Sequence, residues 1–159
     1  GEQGDPLMPM LYALGQHPAL QHMASQLQAN ERIYAFLDDI YITCTPDRVR
    51  ILYDLLSQSL LQHAFIRTHI GKTRIWNEAG IEPQNCSDLR DADGNPAWRG
   101  AADLPQAEQG IVVLGTPIGN PEFVKNILQQ LAIKQQKLLE AIPDVPNLQS
   151  MVDGKGQVL

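Results

Sequence analysis

Two β-prone runs flank a pair of carboxylates in Tyr34-Ala35-Phe36-Leu37-Asp38-Asp39-Ile40-Tyr41-Ile42-Thr43. Aromatic and β-branched residues on both sides read as two strands, with the two Asp between them as the hairpin turn. Two-residue turns favour Asn-Gly or Asp-Gly because they need positive φ. Asp-Asp is a poorer choice, although Asp tolerates that region better than most residues. Helical spacing governs the flanks. Met10, Leu11, Leu14, Leu20 and Met23 trace one apolar stripe, interrupted at Gly15 and Pro18 and expected in the core. Asp5 and Pro6 suit its N-cap and first helical position. Val49, Leu52, Tyr53, Leu56, Leu60 and Phe65 trace a second helix, beginning near Thr45-Pro46 and expected to back the hairpin sheet. Asn120 and Pro121 open a third, with Val124, Ile127, Leu128, Leu131, Leu138 and Ile142 on its apolar face and Lys125, Lys134 and Lys137 on others.

Between the second and third helices the pattern changes twice. Thr68 to Asn77 reads as a short extended segment, with Trp76 packing on the sheet. Residues 79–109 are low in hydrophobicity and carry Gly80, Pro83, Gly94, Pro96, Gly100 and Pro105. They read as an exposed insertion loop with a turn at Asp93-Gly94-Asn95. Asp88, Asp91 and Asp93 faintly resemble a calcium loop but lack its remaining ligands and closing Glu. Gly110 to Gly119 is a β-branched strand closed by Gly and Pro, and Ser150 to Leu159 reads as an irregular tail. The predicted class is α+β.

Composition adds bounds. The 159 residues suffice for one core, and 43% hydrophobic with 19% charged residues is ordinary for a globular chain. A net charge of −6 gives no basic footprint for a free-standing nucleic-acid binder. Cys44 and Cys86 can build neither a disulfide framework nor a four-ligand zinc site, and indicate a reducing, intracellular compartment, nucleus and cytoplasm not being distinguished. His17 and His22 are not at the i, i+4 spacing of a helical metal pair. No apolar run reaches a membrane span, so no membrane partner is expected. A chain opening on Gly inside a motif is expected to be a fragment.

The chemistry centres on Asp38 and Asp39. Neighbouring side chains in a regular strand point to opposite faces, but at a tight turn both carboxylates can lie near one exposed point. Two anionic oxygen ligands there suit a hard cation such as Mg²⁺; the alternative is a polar turn closing two buried strands.

Taken with that hairpin, Gln3-Gly4-Asp5-Pro6-Leu7-Met8-Pro9 resembles the palm of a reverse transcriptase, an RNA-directed DNA polymerase. The similarity is closest to non-long-terminal-repeat (LINE-like) retroelement enzymes. Phe36-Leu37 stands where that family usually shows Tyr-Ala, Tyr-Met or Phe-Ala, and Met8 replaces a common Ser. Neither change removes a ligand, but Leu37, next to the site, bears on nucleotide fit. The resemblance implies a palm fragment over 1–119 (79–109 an insertion), a palm-to-thumb helix over 120–142 and an irregular tail over 143–159. It implies that Asp38 and Asp39 are catalytic metal ligands for two Mg²⁺, and that Gln3, Gly4 and Phe36 contact nucleotide and template. Lys72, in a stretch resembling the family's Asn-x-x-Lys-Thr, would act on the triphosphate through its proton or its field. Leu114 and Gly115 resemble the hydrophobic-Leu-Gly hairpin under the primer end, where Gly115 and Gly119 would let a sugar-phosphate strand approach closely.

The implied partners are an RNA or DNA template with primer and deoxynucleoside triphosphates, and the implied reaction is two-metal phosphoryl transfer to a primer 3′-hydroxyl. The family also needs an Asp on an upstream strand, so a missing fingers and palm segment is expected and this polypeptide alone is expected to be inactive. Two other classes stay open. A metal-dependent nuclease or nucleotide cyclase on a similar acidic hairpin would turn over without template. A non-catalytic relic would keep the palm only as a folded scaffold or nucleic-acid-binding piece.

Overall fold

Helix α1 runs unbroken from Met8 to Ser25, with Gly15 and Pro18 inside it. Pro18 offers no N–H to the carbonyl of Leu14, but Leu14 is 62% exposed, where solvent satisfies that group. The buried face is Gln16, Ala19 and Met23, at helical spacing. This corrects the expected stripe: Met10, Leu11 and Leu14 face solvent, because the rest of the described chain covers only the face that carries Ala19 and Met23. The computed structural model describes residues 7–141. Gln3, Gly4, the Asp5-Pro6 helix start, Ile142 and the 143–159 tail lie outside the described residues.

Strands β1 (Arg32–Phe36) and β2 (Asp39–Thr43) pair antiparallel, Ile33 facing Ile42, Tyr34 facing Tyr41 and Phe36 facing Asp39. The turn is therefore Leu37-Asp38, one residue earlier than the expected Asp38-Asp39, and Asp39 is a strand residue. Alternation puts Ile33, Ala35, Ile40 and Ile42 on one face and Tyr34, Phe36, Asp39 and Tyr41 on the other.

After a 3₁₀ turn at Pro46–Arg48, α2 spans Val49–Ala64. Its Leu52, Leu56 and Leu60 pack with Ala19 and Met23 of α1, and Ile33, Ile40 and Ile42 close over them. Helix and sheet meet as expected. Each fully buried Leu or Met contributes about 1.5–3 kcal/mol. The helices meet closely at Ser59, whose hydroxyl donates to the Ala19 carbonyl at 2.8 Å. Phe65, expected on the apolar face, is instead the left-handed C-cap (φ 57°) and 89% exposed.

Glu31, just before β1, has a fully buried side chain. It accepts from Arg48 Nε at 2.7 Å, just beyond β2, and from the Gln28 amide at 2.7 Å. The hydrogen bond from Arg48 holds the Glu31 carboxyl below its ordinary range despite burial. This pair clamps the base of the hairpin.

The 79–109 segment is not simply exposed. Cys86, Leu89 and Ala97 form a second small core against Val49, Tyr53, Ile70 and Ile75, and Trp98 is buried beside Gly100. Few apolar residues suffice because α2 supplies the other wall. Arg50 of α2 ties the segment to the helix by donating to Asp88 and to the Asn85 carbonyl, and is itself steadied within α2 by Asp54. Asp91 accepts from the amides of Asp93 and Asn95, closing the turn in which Gly94 takes φ 82°. The Asp88 and Asp91 carboxylates thus serve internal contacts. Thr68 to Asn77 holds a 3₁₀ turn at Ile70–Lys72 and one isolated bridge, Ile75 to Trp98, rather than a strand.

Strands β3 (Gly110–Val113) and β4 (Thr116–Gly119) form a second two-stranded sheet. Helix α3 (Pro121–Ala141) follows, and the Asn120 side chain caps it by accepting from the Glu122 amide at 3.0 Å. Its buried anchor is Phe123; Leu128, Leu131 and Leu138 of the expected apolar face are exposed. The described chain is α+β, with three helices and two small antiparallel sheets instead of one.

Candidate functional site

The β1–β2 turn carries a backbone exception. Leu37 has φ 55°, while Asp38 is not among the positive-φ residues. Positive φ at the first turn residue alone is the pattern of a II′ turn, where Gly is the usual occupant. A Leu there costs about 1–2 kcal/mol, and such strain persists only where surrounding structure enforces it, often at functional sites. The enforcement comes from α1. Gln16, 2% exposed, donates through Nε2 to the Leu37 carbonyl at 2.7 Å. Its Oε1 is buried with no hydrogen-bond partner among the described residues. One turn earlier in α1, the Tyr12 hydroxyl is pushed above its ordinary pKa by burial and, secondarily, by the negative charge of Asp38.

Asp38 and Asp39 are both exposed at this tip, and the described ion pairs join other residues. Asp39 Oδ2 accepts from the Tyr41 hydroxyl at 3.3 Å; its second oxygen and both oxygens of Asp38 accept no hydrogen bond from a described residue. Asp38 and Asp39 are neighbours in sequence, and exposed carboxylate oxygens are hard donors of the kind that Mg²⁺ takes, through one or two carboxylates with water and phosphate completing the shell. Among the described residues no group of three or more His, Cys, Asp or Glu that could hold a metal ion is found. Phe36 lies opposite Asp39 and is 60% exposed, presenting an aromatic ring beside the carboxylates.

The β3–β4 tip is the second element. Leu114 (φ 48°) and Gly115 (φ 82°) form a turn with both φ positive, the I′ pattern that Gly suits and Leu does not. A Cβ on Gly115 would meet nothing within 4 Å, so the glycine answers a conformational need on an open surface. Gly119 differs: a Cβ there would lie 2.4 Å from the Gln109 carbonyl oxygen and 2.5 Å from Gly110 Cα. Its bare backbone serves internal packing against Gly110, a reason that spacing along the chain did not suggest. The two tips are joined where the Leu114 amide donates to the Tyr41 hydroxyl at 3.3 Å.

Lys72 is exposed at the end of its 3₁₀ turn, and no hydrogen bond or ion pair joins it to Asp38 or Asp39 among the described residues. Trp76 is half-buried and lines a cleft with Gly100, Ile118 and Gly119. Gln16 and Tyr41 escaped the reading of the chain. A polar residue in register with Ala19 and Met23, and an aromatic hydroxyl two positions from an Asp on one strand face, were the available clues.

Fold and site together define an α+β chain with an acidic, strained hairpin tip linked to a second hairpin. No family model, curated protein or solved structure matches the chain. No described helix is long and apolar enough to cross a membrane.

Proposed function

We propose that this chain is part of a reverse transcriptase-like palm and supplies two carboxylates, Asp38 and Asp39, to template-directed nucleotidyl transfer. One observation carries the reading: two exposed carboxylates, neither in an ion pair among the described residues, stand at a hairpin tip whose Leu37, at φ 55°, accepts a hydrogen bond from the buried Gln16 side chain. When bound, Mg²⁺ supplies activation of a primer 3′-hydroxyl and stabilisation of the pyrophosphate leaving group. Gln16 fixes the turn, the Phe36 ring borders the nucleotide, and the Leu114-Gly115 tip bears on the primer strand. Lys72 and the Gln3-Gly4 loop enter through the sequence resemblance, Lys72 toward the triphosphate and the loop toward nucleotide and template.

The test is template-dependent primer extension, with Mg²⁺ and deoxynucleoside triphosphates, by a polypeptide that also carries the upstream fingers and palm segment. Asp38→Ala is expected to abolish extension, and retained extension in that variant refutes the assignment. The non-catalytic scaffold is favoured by one observation, that no group of three or more His, Cys, Asp or Glu that could hold a metal is found among the described residues. It predicts a folded chain whose carboxylates take up no Mn²⁺.

A further inference from the structure

We infer that Tyr41 is a positioning residue that sets the orientation of Asp39 and the placement of the Leu114-Gly115 tip through one shared hydroxyl. The inference rests on the metal-ligand reading of Asp39. A phenol has one proton to donate and lone pairs to accept with. A carboxylate only accepts and a backbone N–H only donates, so the direction of both bonds follows: Leu114 N–H to Tyr41 Oη, and Tyr41 O–H to Asp39 Oδ2, each 3.3 Å.

The geometry has a local and a long-range cause. Tyr41 lies two residues after Asp39 on one strand, so alternation stands both on the outer face. Leu114 is 73 residues further along the chain and belongs to a separate sheet. Among the described residues no other hydrogen bond runs from the first hairpin to the second. Tying Oδ2 leaves the other Asp39 oxygen with a preferred direction at the tip. Hydrogen bonds of this kind orient ligating carboxylates, and losing one typically costs about 10–100-fold in metal affinity. The linked N–H, O–H and carboxylate also polarise one another. A shift of the second hairpin, which the primer end would impose, is thereby felt at the carboxylate.

The test uses the 159-residue chain with Mn²⁺ alone as probe, its binding read from loss of the free-ion EPR signal. The Leu114 amide resonance is followed in parallel, with diamagnetic Mg²⁺ added. Wild type is expected to bind, Asp38→Ala to lose binding, and Tyr41→Phe to bind about 10–100-fold more weakly with a shifted Leu114 amide and an unchanged far-ultraviolet dichroism spectrum. Gly115→Ala strains the second turn without touching the first. It is expected to weaken binding when Tyr41 is present and to add nothing in the Tyr41→Phe background, a non-additivity that a space-filling role would not produce. If Tyr41→Phe does not fold, Gly115→Ala alone decides, and unchanged affinity in that variant overturns the coupling. If Asp38→Ala loses binding but Tyr41→Phe binds as wild type, the positioning role is overturned and the metal site stands. If wild type takes up no Mn²⁺, or Asp38→Ala binds like wild type, the metal site is overturned and the role of Tyr41 falls with it.

Discussion

Replacing Gln16 by Met separates two effects that the wild-type side chain combines. Gln16 is 2% exposed, gives one hydrogen bond to the Leu37 carbonyl at 2.7 Å, and buries Oε1 without a partner among the described residues. Losing the bond costs about 1 kcal/mol net. Leu37 is 40% exposed, so the released carbonyl lies where solvent can take over. The orphaned acceptor costs about 1–3 kcal/mol in desolvation, which an apolar side chain of similar shape removes. The difference favours the variant by about 0–2 kcal/mol. Gln16→Met should therefore unfold at equal or higher urea concentration, with an unchanged dependence on denaturant. The same change releases the strained turn. Amide exchange at Asp38 and Asp39 should quicken, and Mn²⁺ affinity should fall although the fold is no weaker, a trade of activity against stability expected at a strained site. Destabilisation by more than about 1 kcal/mol would refute the cost assigned to Oε1. Unchanged exchange at the turn would refute the claim that Gln16 holds it.

Other outcomes follow from the same contacts. Glu31 has its carboxyl held low in the fold, by Arg48 first. Its stabilising effect is therefore full above the ordinary value of about 4.3 and is lost as pH falls through the folded value. Glu31→Gln should cost most at pH 7 and progressively less below about pH 4 by urea midpoint; a pH-independent gap would contradict this. Met23→Ala should cost about 2–5 kcal/mol because Met23 is fully buried. Met10→Ala, at a position 53% exposed, should stay within about 0.5 kcal/mol; equal losses would place the upper half of α1 in the core after all. Gly119→Ala drives a Cβ to 2.4 Å from backbone and should cost about 1–3 kcal/mol through overpacking, checked by thermal melting.

Much of the site is local in origin, and that part was readable. The β-prone runs on both sides of Asp38 and Asp39 specify a hairpin, and Asn120-Pro121 specifies a helix start that the Glu122 amide satisfies. Asp93-Gly94-Asn95 lies in a turn because Gly94 supplies the positive φ and Asp91 gathers the amides. Periodicity likewise identified Leu52, Leu56 and Leu60 as core. It did not identify Phe123 as the anchor of α3, since the ring packs on Gly110 of β3 and Gly119 of β4. Nor did low hydrophobicity in 79–109 reveal a second core, because half of that core belongs to α2, Ile70 and Ile75.

By itself the sequence determined the three helices and the first hairpin, with Asp38 and Asp39 at or beside its turn, because propensity, period and capping act over a few neighbouring residues. Only the tertiary structure decided the register that makes Leu37-Asp38 the turn, the α1 face that is buried, and the link from Asp39 through Tyr41 to Leu114. Those depend on Gln16 reaching Leu37 from another element, on Ile33 and Ile42 packing against the core that holds Met23, and on a hydrogen bond spanning 73 residues. Local turn preference placed both Asp in the turn. Packing, worth more than that preference, moved one of them into the strand.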